Sequence, residues 1–162
     1  MKRLIFLFLV CLAACNSPKE NRVNQLATDY FKIYADRTDW DGFQALYADD
    51  LIFEDVVFRY EFDKEGFVNF YNWPDSLFKK HPDFPHTLVL QNLTVNDSTA
   101  IGSGYFTPFY YGGRLLSNDH HWRFTMELTF DKQGKIKRHK DFIEYDPEFM
   151  KSAAEALINT NH

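Results

Sequence analysis

Trp40-Asp41-Gly42-Phe43-Gln44-Ala45-Leu46-Tyr47 runs directly into Ala48-Asp49-Asp50-Leu51-Ile52-Phe53-Glu54-Asp55, and the apolar period changes between the two. In the first half Phe43, Leu46 and Tyr47 fall at helical spacing, so a short helix is expected over Trp40 to Tyr47. From Leu51 to Phe58 the period is two. Leu51, Phe53, Asp55 and Val57 then share one face of a strand. A short helix therefore gives way to a half-buried strand that carries a carboxylate on its apolar face.

Working outward from this stretch, Val23, Leu26, Ala27, Tyr30, Phe31 and Tyr34 form one apolar helical stripe upstream. Ser17-Pro18-Lys19-Glu20 reads as its start, with a capping serine, a proline in the first turn and a capping-box glutamate. The alternative is a tether over 16–22 and a helix from about Asn21. Downstream, Asp63 can cap a third helix over Lys64 to Tyr71, and Pro74, Pro82 and Pro85 break the next stretch into loop and short helix. Strands are expected over His86 to Val95, Thr99 to Tyr111, within Arg114 to Phe130, and over Lys135 to Tyr145. The turns between them are Asn96-Asp97-Ser98, Gly112-Gly113 and Asp131-Lys132-Gln133-Gly134. Pro147 ends the last strand, and a short helix is expected over Glu148 to Ile158. Helices first and long strands after make an α+β fold. The expected form is a cone-shaped α+β barrel, a strongly curved antiparallel sheet wrapped on the N-terminal helices. One domain is expected over 23–158.

Tyr30, the run Trp40 to Asp55, Trp122-Arg123-Phe124, the Gly134-Lys135-Ile136 turn and the strand ending Phe142-Ile143-Glu144-Tyr145-Asp146 carry a resemblance. Over about 23–148 the chain resembles the nuclear transport factor 2-like superfamily, which includes steroid isomerases and SnoaL-like polyketide cyclases. The resemblance implies a curved cone with an internal pocket. It is weak for activity, because that superfamily hosts many functions.

Four residues are candidates for catalysis. Asp55 sits among apolar neighbours, where desolvation raises a carboxylate pKa unless a partner offsets it, and a raised value suits a general base. The alternative for Asp55 is a solvated carboxylate at the pocket mouth, or one that caps a loop. Lys137, His139, Asp141, Ile143 and Tyr145 share one face of the last strand, and the resemblance turns that face toward the cavity. Residues two apart lie about 6.6 Å apart, so His139 and Asp141 can act on one ligand. The resemblance implies a proton-taking role for Asp55 in the isomerase pattern, and an acid/base role for Asp141 in the cyclase pattern. Tyr30 falls, with one inserted residue, where those isomerases place a tyrosine donating to the oxyanion. The alternative for Tyr30 is core packing with a satisfied hydroxyl. Met126 falls where they hold a protonated aspartic acid. A thioether cannot donate, and loss of such a donor lowers rate by roughly 100- to 1000-fold, which argues against steroid isomerase activity.

Tyr34, Trp40, Trp73, Tyr105, His120, Trp122 and Met126 are the expected ligand-binding residues. His120 ends an apolar stripe with Trp122, Phe124, Met126, Leu128 and Phe130, while His121 points to the opposite face, so the two cannot jointly chelate an ion. His81 and His86 share no ligand spacing, and no metal site is expected. There is no glycine-rich phosphate loop, and Gly102-Ser103-Gly104 lacks the spacing of a nucleophile elbow, so no cofactor is expected.

The N-terminus adds an address. Lys2 and Arg3 precede nine apolar residues, Leu4 to Leu12, and Leu12-Ala13-Ala14-Cys15 follows the pattern of a secretory cleavage site. Nine residues cover less than half of a bilayer core of about 30 Å, so the segment does not span it. The pattern resembles a bacterial lipobox, with Cys15 as the lipidated residue; the alternative is an ordinary secretory signal. Removal of 1–14 takes the formal charge from −5 to −7 by deleting Lys2 and Arg3, and leaves Cys15 as the sole cysteine. No internal disulfide can then form. The negative balance, without a basic cluster, argues against nucleic acid as a partner. The expected partners are a small-molecule ligand and the envelope membrane through the lipid, with a homodimer through the outer sheet face as a possibility. The expected function is binding of a small, largely apolar molecule or an envelope partner. The alternative is an isomerase, cyclase or hydratase that transfers protons.

Overall fold

The computed structural model describes residues 18–74, 77–117 and 121–152. Helix α1 spans Pro18–Asp36 and buries Val23, Ala27, Tyr30, Phe31 and Tyr34, the expected stripe. Residues 18–22 are therefore helical. Helix α2, Trp40–Ala45, is capped by Asp39, whose carboxylate accepts from the Gly42 N–H. Helix α3, Lys64–Tyr71, begins at the predicted cap, with Asp63 accepting from the Gly66 N–H. A side-chain acceptor at this position satisfies a donor the helix itself leaves open.

The strands are β1 (Tyr47–Asp55), β2 (Tyr60–Phe62), β3 (Phe78–Lys80), β4 (Leu88–Asn96), β5 (Thr99–Phe106), β6 (Phe109–Tyr111), β7 (Arg114–Leu116), β8 (Arg123–Phe130) and β9 (Ile136–Ile143). Six of them form one curved sheet in the order β2-β1-β9-β8-β5-β4, and β3, β6 and β7 form a second. Three expectations need correction. The main sheet is mixed rather than purely antiparallel, because β1 and β9 run parallel. It is also an open sheet, with β2 and β4 at its edges. The long strand expected over Thr99–Tyr111 is broken after Phe106, so that β6 peels away and forms a hairpin with β7 beside β3, while the strand expected within Arg114–Phe130 forms as β8.

Local irregularities set which side chains face inward. Phe130 pairs with Ile136 and Thr129 with Arg138, so Lys137 is an extra residue in β9. This bulge shifts the alternation. Lys137, expected inward, is exposed, while Ile136, His139, Asp141 and Ile143 are buried. At the end of β1 the strand stops at Asp55, and Val57 turns outward rather than continuing the buried face. Gly102 lets α1 approach the sheet, since a Cβ there would lie 2.2 Å from the Phe31 ring. The core between α1, α3 and the sheet is mainly aromatic: Phe43 and Trp73 rings lie 4.0 Å apart, and Tyr47 and Phe67 rings 4.5 Å.

Candidate functional site

The parallel pairing of β1 and β9 aligns Phe53 with His139 and Asp55 with Asp141. His139 is wholly buried in a ring of aromatics, with Phe53 at 5.1 Å, Tyr30 at 5.7 Å and Tyr47 stacked at 5.9 Å. Its Nδ1 lies 3.1 Å from the Tyr47 hydroxyl, and its Nε2 lies 2.7 Å from Asp141 Oδ1. With the imidazole proton on Nε2, Nδ1 accepts from Tyr47. The ring N–H does not point along the line to Asp141, so this is a close polar approach rather than an aligned hydrogen bond, and Oδ1 keeps acceptor capacity. The Tyr71 hydroxyl donates to the other oxygen, Asp141 Oδ2.

Asp55 has different company. Its Oδ1 accepts from the backbone N–H groups of Val57 (3.0 Å) and Phe58 (2.9 Å), and its Oδ2 accepts from the Tyr145 hydroxyl at 2.7 Å. It thus ties the turn after β1 to the residues after β9. Burial raises its pKa, and the Asp141 charge adds to the rise; the Phe58 N–H, the Tyr145 hydroxyl and the Val57 N–H oppose it. Burial also holds the hydroxyls of Tyr30, Tyr47 and Tyr71 above the ordinary tyrosine value, and the Asp141 charge pushes each of them the same way. Burial raises Tyr145 too, reinforced by Asp55. These phenols stay protonated at neutral pH and serve as donors.

A cavity of about 370 Å³ opens between α3, the β6–β7 hairpin and the end of β9. Asp141, Tyr71 and Tyr145 bring polar atoms to it, and Phe58, Phe106 and Phe109 are among its apolar walls. Phe70 and Tyr111, both exposed by more than 40%, stand at its mouth.

Of the four expected catalytic residues, Asp141 lines the cavity and His139 lies directly behind it. Asp55 is one residue removed, behind Tyr145. Tyr30 is buried with its hydroxyl 3.8 Å from Met126 Sδ, away from the cavity wall. Of the expected ligand-binding residues, Tyr34 and Trp122 line the cavity. Trp40 and Trp73 pack on Phe43 in the core, and Met126 is fully buried against Tyr30. Tyr105 is turned to the other side of the sheet, where it pairs with Arg123 and stacks on His121 at 4.8 Å, because β5 buries its even-numbered positions. His120 and Cys15 lie outside the described residues.

The sequence reading did not single out Arg37 or Tyr71. Tyr71 closes the α3 stripe, a position that looks like ordinary packing. Arg37 comes just after a helix end and carries no pattern that separates it from a surface cation.

No protein-family profile matches the chain, and no curated protein does. Solved structures do. A Shewanella putrefaciens protein assigned to the SnoaL-like polyketide cyclases aligns with a TM-score of 0.62 at 17% identity, over 86% of this chain and 99% of the other. An M. tuberculosis epoxide hydrolase aligns with a TM-score of 0.61 at 12% identity, over 78% and 86% of the two chains. A nuclear transport factor 2-like protein from Burkholderia thailandensis aligns with a TM-score of 0.59 at 19% identity, over 75% and 90%. At such identities the likeness speaks for architecture and not for activity. In architecture, this chain is a nuclear transport factor 2-like α+β cone.

Proposed function

We propose that the domain binds a small, largely apolar molecule in the cavity that ends at Asp141. The observation that carries this reading is a space of about 370 Å³, walled by aromatic side chains and supplied with a few convergent polar groups. Binding sites for small molecules have this size and this mixture. The test is titration of the purified protein with 2-naphthol, followed by tryptophan fluorescence, since Trp122 is in the wall. Saturable binding is expected, with loss in a Leu116→Trp variant that fills the space while keeping its thermal transition. Equal binding by that variant would place the ligand elsewhere.

A second reading, proton-transfer catalysis on the bound molecule, is favoured by one specific observation. Asp141 Oδ1 is buried, has acceptor capacity left and lies 2.7 Å from His139 Nε2. In this reading Asp141 takes a proton from carbon next to a carbonyl. In a β,γ-unsaturated ketone the C–H pair forms a dienolate with its charge on the carbonyl oxygen; the C=O then re-forms, the pair shifts along the conjugated carbons, and Asp141 returns the proton at the γ-carbon. The Trp122 indole N–H, buried in the cavity wall and without a partner among the described residues, is a candidate donor to that oxygen. Solvent deuterium exchange into a bound ketone, lost in Asp141→Asn while binding persists, distinguishes the two readings. No exchange by the wild type leaves binding alone.

The address on Cys15 belongs to the same proposal. Helix α1 starts beside two strand turns, where Lys19 pairs with Asp97 and Arg22 donates to the Gln133 carbonyl at 2.9 Å. Arg37, just past its far end, lines the cavity. Helix α1, roughly 28 Å long for its 19 residues, separates its N-terminal end from Arg37 at the cavity. Metabolic labelling with a palmitate analogue, abolished by Cys15→Ala, tests the anchor.

A further inference from the structure

Arg37 is a cation at the cavity that no carboxylate of the described residues meets. It lines the cavity wall and is partly buried. Among the described residues its guanidinium pairs with no carboxylate, and its one hydrogen bond is a long one, to the Tyr34 hydroxyl at 3.5 Å. Its Nε is buried and has no partner. The neighbouring Asp36, the nearest acidic residue in the chain, is committed to His86 at 2.8 Å. The surroundings of the guanidinium are aromatic: Phe78 at 4.1 Å, Tyr34 at 5.2 Å and Trp73 at 5.4 Å. Ring faces hold a cation in position but leave its in-plane N–H donors unused.

The backbone is also set against the residue. Arg37 has φ +47°, and its N–H donates to the Ile33 carbonyl at 2.9 Å. This is the left-handed stop that ends many helices, a position usually held by glycine or asparagine. An arginine there is strained, by about 1 kcal/mol or more, relative to glycine. Strain at a cavity wall, together with unused donors on a partly buried cation, points to a ligand group that the side chain is placed to receive.

We propose that the cavity selects molecules carrying a single carboxylate, which Arg37 receives in its planar fork while the apolar body fills the aromatic space. This rests on the reading of the cavity as a small-molecule site and adds the chemical class. A guanidinium matches a carboxylate with two parallel donors. One cation, in a cavity that also contains Asp141, suits one negative charge better than the two of a phosphate monoester. The Trp122 N–H, unpartnered in the same wall and 95% buried, offers a further donor for a polar substituent on the body.

The test is calorimetric titration of the full chain with three matched probes: 1-naphthylacetate, 1-naphthylacetamide and 1-naphthyl phosphate. They share an apolar body and differ in charge. The carboxylate is expected to bind at least about tenfold tighter than the amide, as a charge-assisted pair implies. Arg37→Asn, which the positive φ tolerates, should bring the two to equal affinity without loss of folding. Arg37→Lys should retain part of the preference. Equal affinities in the wild type overturn the anion proposal and leave the apolar-ligand reading standing. A phosphate bound tenfold tighter than the carboxylate overturns the assignment to a single charge. Binding of none of the three overturns both the proposal and the reading beneath it.

Discussion

Asp55 and Asp141 face each other in register on parallel strands, and both are buried, yet the fold treats them differently. Asp55 has both oxygens engaged by three donors, two of them backbone N–H groups of the turn after β1. Asp141, a residue of the cavity wall, receives one aligned donor, from Tyr71, and its second, buried oxygen lies near His139 without an aligned donor. The first carboxylate is consumed in holding two chain segments together. The second is held in place by Tyr71 and has one oxygen without an aligned donor. Burial alone therefore does not separate the two carboxylates; the number of lone pairs already in use does.

Substitutions can break or sharpen that contrast. The largest expected effect is that of Asp141→Ala, which strands the Tyr71 hydroxyl in the interior and removes the polar group closest to His139 Nε2. A loss of about 3–5 kcal/mol in unfolding free energy by denaturant titration is expected, against about 1 kcal/mol for the near-isosteric Asp141→Asn. Asp55→Ala comes next, at about 2 kcal/mol, since the freed turn amides can reach water more readily. A cost for Asp55→Ala equal to that of Asp141→Ala would erase the distinction. Tyr145→Phe removes one donor to Asp55 and should lower stability by about 1 kcal/mol.

The smallest effect is in pH. Burial raises the folded pKa of Asp55 above 3.8, so between those values the folded chain keeps a proton that the unfolded chain has lost. Its stability contribution is full below the unfolded value and declines as pH rises through the folded one. Asp55→Asn should therefore gain stability relative to wild type as pH rises across that window. A difference between the two proteins that stays constant from pH 3.5 to pH 7 would show that the partners of Asp55 outweigh its burial.

The local elements were largely legible in the chain. The α1 stripe, the Asp63 cap of α3 and the alternation of Phe124, Met126, Leu128 and Phe130 are short-range patterns, and each forms where its spacing places it. The inward turn of His139 and Asp141 came from the resemblance. The phase was right at those two residues and failed at Lys137, because a bulge adds one residue without a sequence mark. Aromatic residues were the hardest to sort. Trp73 and Tyr34 read alike along the chain, yet Tyr34 reaches the cavity while Trp73 is inside the core and Tyr105 is across the sheet.

Element types, caps and the apolar faces depend on neighbours within a few residues, so the order of amino acids is enough to specify them. The parallel alignment of Asp55 with Asp141, the approach of an Asp141 oxygen to His139 and the place of Arg37 at the cavity depend on groups that lie far apart along the chain. Those relations arise when the sheet curls over α1, since solvation and pairing of a charge are set by what surrounds it in space.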